Sequence, residues 1–208
     1  MAISDWNGCL DLFREALVLA GKPLPQLAIA ELGNQRVKTV PGSGMRRMQS
    51  HGSLLRHFGA AYICLDINGR DGALPVDLSQ PWPPDVSERY AGWADIVTNF
   101  GTSEHVSAGQ FEAFRTMHRL CRVGGLLVHA VPASGTCRRH GSWKYTVEWF
   151  QQLAATNRYE VISCAAWDKS LGMPERLKPR EQIYLRVLLR RISGRRFRGR
   201  GWVDPPRK

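Results

Sequence analysis

Three short apolar runs, residues 27–32, 61–65 and 94–100, each lead into polar residues, and this pattern limits the possible folds more than any other feature of the chain. A run with no polar side reads as a strand buried on both faces, as in a parallel sheet. The polar residues at the ends are Glu31-Leu32-Gly33-Asn34-Gln35, then Asp66, then Asn99-Phe100-Gly101. Helical patterns lie among the runs. Leu10, Phe13 and Leu17 recur at helical spacing between Asn7, a candidate cap, and Gly21, a stop. Residues 22–25 read as a rigid connector. Met45, Met48, Leu55 and Phe58 make a looser stripe, with Arg46, Arg47, Arg56 and His57 for the outer face and Gly52 interrupting it. Strand, helix, strand is the alternation of βαβ winding.

Residues 69–93 hold four prolines and three glycines, which leaves room for one short strand, 73–77, and a long loop in place of the usual helix. After 94–100, Ser107 and Gln110 form a candidate capping box for a helix carrying Phe111, Phe114, His118 and Cys121. Gly124 and Gly125 end it and launch a strand at 126–131. A helix at 143–156 and a strand at 160–167 follow. A last strand at 182–190 alternates Ile183, Leu185, Val187 and Leu189 with Tyr184, Arg186, Leu188 and Arg190.

Charge is unevenly placed. Of the net +11, residues 175–208 contribute +9, from twelve Lys and Arg against three acids. The body is therefore close to neutral, and its basicity is no sign of a nucleic-acid face. The expected domain plan is one domain over 1–192, opened by a helix and connector at 1–26, then an Arg/Gly-rich tail over 193–208 that reads as disordered. Five cysteines, none at C-x-x-C spacing, argue against a disulfide framework and against a zinc site, so no metal is expected. No run is long and apolar enough for a membrane span, and Asp5, Asp11, Arg14 and Glu15 do not suit a secretory leader, which points to the cytoplasm.

In doubly wound sheets ligands bind beyond the C-terminal strand ends, so three strands deliver polar groups to one expected place. Asp66, just past the second strand, suits a pair of ribose hydroxyls, since a carboxylate accepts two hydrogen bonds. Gly33 lets backbone approach a ligand where a Cβ would collide.

The succession Ala-Glu-Leu-Gly-Asn-Gln, Leu-Asp-Ile-Asn-Gly, Pro-Val-Asp-Leu-Ser, Asp-Ile-Val-Thr-Asn-Phe-Gly-Thr-Ser-Glu-His and Leu-Cys-Arg-Val-Gly-Gly-Leu-Leu-Val-His resembles the class I S-adenosylmethionine-dependent methyltransferases over residues 27–190. The resemblance implies an α/β, Rossmann-like, doubly wound and mostly parallel sheet with a C-terminal antiparallel strand and helices on both faces. It implies S-adenosylmethionine as cofactor. Glu31 and Gly33, with Asn34 beside them, would line its methionine part, Asp66 its ribose and Asp77 its adenine amino group. Asn99, Phe100 and Gly101 would floor the sulfonium. The usual Gly-x-Gly-x-Gly is reduced here to Gly33.

Glu104 and His105 follow the floor strand, near where an acceptor would sit, and either could take a proton; a plain surface pair is the competing account. His140, in Arg138-Arg139-His140-Gly141, faces a similar choice between substrate contact and a solvated basic loop. Trp143, Tyr145, Trp149 and Phe150 either cover an acceptor or pack a helix on the sheet. A small-molecule acceptor is the first expectation. An RNA or protein acceptor met by the Arg-rich tail, and a binding module without turnover, are the alternatives.

Overall fold

The computed structural model describes residues 2–3, 8–37, 49–136, 140–168, 183–199 and 201–207. Six strands form the central sheet: β1 (Ala28–Leu32), β2 (Ala61–Leu65), β3 (Ala94–Phe100), β4 (Cys121–Pro132), β5 (Tyr159–Asp168) and β6 (Ile183–Arg191), in the order β2-β1-β3-β4-β6-β5. The pairs β1 with β2, β1 with β3 and β3 with β4 are parallel, and β6 runs antiparallel to both its neighbours. This is the expected α/β architecture.

Every residue of β3 is buried, as its unbroken apolar run requires for a central strand. Alternation along it serves two cores. Ile96 and Phe100 join Leu12, Phe13, Leu55 and Leu188 on one face, while Val97 joins Phe114, Met117, Tyr145 and Phe150 on the other. Each such side chain taken fully out of water contributes about 1.5–3 kcal/mol. The first face is covered by α1 (Cys9–Ala20) and α2 (His51–His57); the second by α3 (Pro84–Tyr90), α4 (Phe111–Leu120) and α5 (Val147–Asn157).

Several expectations need correction. The stretch 69–93 does hold a helix, α3, which starts with Pro84 where a missing N–H costs nothing and carries Asp85 in its first turn. The strand expected at 73–77 shrinks to one bridge between Leu74 and Leu65, because Val76, Leu78 and Trp82 turn into the core instead of extending the ladder. The helix expected from 143 begins at Val147, capped by the Thr146 hydroxyl, since Trp143 and Tyr145 are engaged in bridges to Arg207 and Ala133. β4 starts at Cys121, directly after α4, and includes the two glycines. Ser107 and Gln110 form no capping box: the Gln110 amide donates to the carbonyls of Ser103 and Val106. The candidate cap Asn7 and the stripe residues Met45, Arg46, Arg47 and Met48 lie outside the described residues.

The basic tail, read as disordered, instead packs against the body. Asp204 accepts hydrogen bonds from Gln110 N at 3.0 Å and Trp202 Nε1 at 2.9 Å, and Trp202 meets Phe111 edge-on while Phe197 lies tilted against it. Val203 accepts from Trp149 Nε1 and Pro206 from Lys144 N, with Arg207 over the Trp143 ring. Its aromatic residues bury apolar area that charge composition alone does not register.

At the opposite end of the sheet from these loops, Asp95 accepts from Ala28 N, Lys22 and Arg122. Burial pushes its carboxyl up, but these three donors overcome that and hold it below the usual carboxylate range.

Candidate functional site

A cleft of about 450 Å³ opens beyond the C-terminal ends of β1, β2 and β3. That lies within the range of small-molecule sites. Gly33, Asn34 and Gln35 enter it from β1, and Asp66 and Ile67 from β2. Val76, Asp77, Leu78 and Ser79 enter from the loop that follows. Gly101, Thr102, His105, Val106 and Ser107 form the facing wall.

The turn after β1 is tight. Gly33, at φ +78°, donates its N–H to Leu65 O at 2.8 Å, and an added Cβ would stand 2.3 Å from Thr102 Oγ1. The Thr102 hydroxyl in turn donates to Leu32 O at 2.7 Å. The glycine is thus required by the neighbouring loop as well as by its backbone conformation. Asp66 accepts from Asn34 N through one oxygen (2.7 Å) and from Asn68 N through the other (3.0 Å). Each carboxylate oxygen has a second lone pair, so both remain able to accept from a ligand's hydroxyls. Asp77 takes Ser79 N on one oxygen only. Ile67, beside Asp66, holds its apolar side chain 71% exposed at the rim.

Three of the expected cofactor residues do not reach the cleft. Glu31 is fully buried: its carboxylate meets His51 Nδ1 at 2.7 Å and accepts from the Tyr62 hydroxyl at 2.5 Å and Thr98 at 3.4 Å. Alternation along β1 sends it behind the cleft, where it ties α2 and β2 to the strand. Burial, then the Glu31 charge, pushes the Tyr62 hydroxyl far above its ordinary value, so it remains a donor. Asn99 is buried too. Its side chain bonds Ser103 through both its nitrogen and its oxygen and contacts His129 Nδ1, shaping the loop from beneath. Phe100 packs into the core below. Burial alone pushes His129 down to about 3, which keeps it neutral in the strand.

On the acceptor side, the 3-10 turn Ser103–His105 brings Glu104 and His105 together with His140. Glu104 is fully buried, and its Oε1 is 3.2 Å from His140 Nε2 and 4.0 Å from His105 Nε2. Partial burial lowers His105 below an ordinary imidazole, with Glu104 opposing and His140 reinforcing the shift. The turn is held by a buried chain in which Tyr145 OH contacts Ser103 Oγ at 2.7 Å and donates to Gln110 Oε1 at 2.5 Å. Trp143, Tyr145, Trp149 and Phe150 pack in the core on this side, which favours the packing account of that aromatic set. Arg138 and Arg139 lie outside the described residues.

Sequence reasoning missed Ile67 and Thr102. An apolar residue directly after Asp66, in a loop with nothing to bury it, was the available sign for Ile67; Thr102 had none, because its role depends on β1 and β3 being adjacent. No helix among the described residues is long and apolar enough to cross a membrane.

No protein-family model matches the sequence, and no curated protein matches it in a sequence search. Solved structures do match by shape. The 1,6-didemethyltoxoflavin-N1-methyltransferase of Burkholderia thailandensis, crystallised with 1,6-didemethyltoxoflavin and S-adenosylhomocysteine, superposes with a TM-score of 0.56 at 11% identity over 90% of this chain and 81% of its own. An S-adenosylmethionine-dependent methyltransferase from Mesorhizobium loti gives 0.54 at 16% identity, over 86% of this chain and 98% of its own. The 16S rRNA (adenine(1408)-N(1))-methyltransferase of Catenulisporales acidiphilia gives 0.51 at 11%, over 88% and 94%. At such identities the likeness speaks to architecture. The chain has the class I, Rossmann-like fold of the S-adenosylmethionine-dependent methyltransferases.

Proposed function

We propose that this protein is an S-adenosylmethionine-dependent methyltransferase whose acceptor is a small molecule. The observation that carries the reading is the cleft itself: two carboxylates, Asp66 and Asp77, set among the apolar side chains of Leu65, Ile67, Val76 and Leu78 at the ends of parallel strands. Such a site suits a nucleoside. Asp66 would accept from the ribose hydroxyls, Asp77 from the adenine amino group, and Ile67 with Leu78 would cover the faces of the base. Gly33 and Gly101 keep backbone free of side chains where the methionine portion would lie. Bound there, S-adenosylmethionine supplies a methyl group on a sulfonium, already activated for in-line displacement. The protein's part is chiefly positioning, holding the acceptor atom on the side of His105. The acceptor's proton would leave at the Glu104, His105 and His140 cluster.

The small-molecule reading is supported by where the arginines stand. Arg119, Arg122, Arg191 and Arg196 line a separate groove with Gly92, at the end of the sheet where the parallel strands begin, opposite the cleft. The tail's Trp202, Asp204 and Pro206 are spent on the body. Those four arginines would lie away from an RNA acceptor held at the cleft.

Calorimetric titration with S-adenosylmethionine and S-adenosylhomocysteine tests the reading. Micromolar binding of both, weakened in Asp66→Ala, is expected; a folded protein that binds neither would overturn it in favour of a module without turnover.

A further inference from the structure

We propose that Glu104, His105 and His140 form a site for one divalent cation of the Zn²⁺ class at the acceptor end of the cleft. A carboxylate oxygen of Glu104, a ring nitrogen of His105 and one of His140 all lie within 4.8 Å of one another. Around a metal with bonds of about 2.0–2.2 Å, neighbouring ligand atoms stand about 3–4 Å apart. The 3.2 Å and 4.0 Å separations from Glu104 Oε1 fall in that interval. The half-exposed His105 can rotate through what remains.

A second observation is independent of these distances. Glu104 is completely buried, yet its Oε2 has no hydrogen-bond partner among the described residues. A buried carboxylate with an oxygen left unpaired is costly, and a cation chelated by both oxygens would remove the cost.

The geometry is also locked from outside. Ser142 N donates to Glu104 O at 2.7 Å, so the turn carrying Glu104 and His105 is joined through backbone to the loop carrying His140. Gly141 lies against the carboxylate stem, where a Cβ would come within 2.5 Å of Glu104 Cγ. Lys144 Nζ donates to His140 O, fixing the same loop a second time. Two imidazoles with one carboxylate favour borderline ions over Mg²⁺ or Ca²⁺, which prefer all-oxygen sets. Three protein ligands would leave coordination positions open, and one of the three, His105, borders the cleft. The sequence argument against zinc concerned cysteines, and this set uses none.

The catalytic use of the ion rests on the methyltransferase reading. An acceptor hydroxyl on an open position would release its proton to water at a lower pH, leaving the oxygen ready for the methyl group.

The test uses tag-free protein, stripped with a chelator and titrated with Zn²⁺ and with Co²⁺, following stoichiometry and the visible Co²⁺ bands, with S-adenosylmethionine titrated separately. One equivalent held at micromolar concentration or tighter is expected. Glu104→Gln, His105→Ala and His140→Ala should each weaken it at least about tenfold. If Glu104→Gln fails to fold, His105→Ala keeps the test decisive, because that side chain is half exposed. No stoichiometric uptake by the parent protein, or uptake unchanged in both histidine variants, would overturn the site. Metal uptake without cofactor binding would support the site and sink only the enzyme reading; cofactor binding without metal uptake would sink only the site.

Discussion

One wall of the cleft comes directly off strand ends, with Gly33, Asn34 and Gln35 leaving β1 and Leu65, Asp66 and Ile67 leaving β2, whereas the facing wall is carried on loops that distant segments hold in place. On the first wall the ladder between β1 and β2 sets positions, and the buried carboxylate behind it, Glu31, is met by His51, Tyr62 and Thr98. On the second, Glu104 is equally buried but keeps one oxygen unpartnered, and the loops around it depend on Tyr145, Ser142 and the tail. A carboxylate whose oxygens are all used is a fastener. One left partly unused, next to a cleft, is available for chemistry.

The widest separation between the walls should appear in stability. Glu31→Ala leaves the buried His51 and the half-buried Tyr62 without their partner and should cost about 2–5 kcal/mol in urea unfolding, at about 1–3 kcal/mol for each polar group left unpaired. A loss near zero would erase the contrast with Glu104.

Next in size is the cofactor effect. Asp66→Ala should weaken S-adenosylmethionine binding about 10- to 100-fold by calorimetry, the scale of hydrogen bonds to a charged group. Its effect on unfolding should be small, since Asp66 is only half-buried. Unchanged affinity would remove the ribose assignment.

A smaller change tests the loop-built wall. Asp204→Ala removes the acceptor for Gln110 N at the start of α4 and for Trp202 Nε1, and should cost about 1 kcal/mol, as loss of a helix cap does. Cofactor affinity should not move, while KM for an acceptor should rise. Equal losses on both would mean that the tail supports the whole cleft.

The smallest effect belongs to Asp95, far from both walls. Its folded pKa lies below the unfolded value, so the stability it contributes is present above the ordinary aspartate pKa and is lost as pH falls through the lowered one. Melting curves of Asp95→Asn and the parent should therefore differ at neutral pH and converge in acid. A difference that persists below the lowered pKa would assign the effect to shape instead of charge.

How much could be read in advance follows the same division. Gly33, Asn34, Asp66, Asp77 and Gly101 line the cleft, since each comes just after an apolar run or, for Asp77, within the short segment that follows β2. Glu31, Asn99 and Phe100 were misplaced because they lie inside strands, where alternation sends successive side chains to opposite faces and no crevice is reached. α3 opens on Pro84 and Asp85, a helix-start pair that a reading of proline as a breaker alone does not register. The tail was misjudged through its arginines, while Phe197 and Trp202 did the packing.

Apolar periodicity and turn residues therefore determined, from the sequence alone, the strands, their winding and the wall of the cleft that hangs on strand ends, because those depend on local burial and on rules of connection. Only the tertiary structure decided that Glu104, His105 and His140 converge and that the tail braces the start of α4, just beyond the first two. These contacts join residues 36 to 94 positions apart, and no local pattern encodes which distant loops meet.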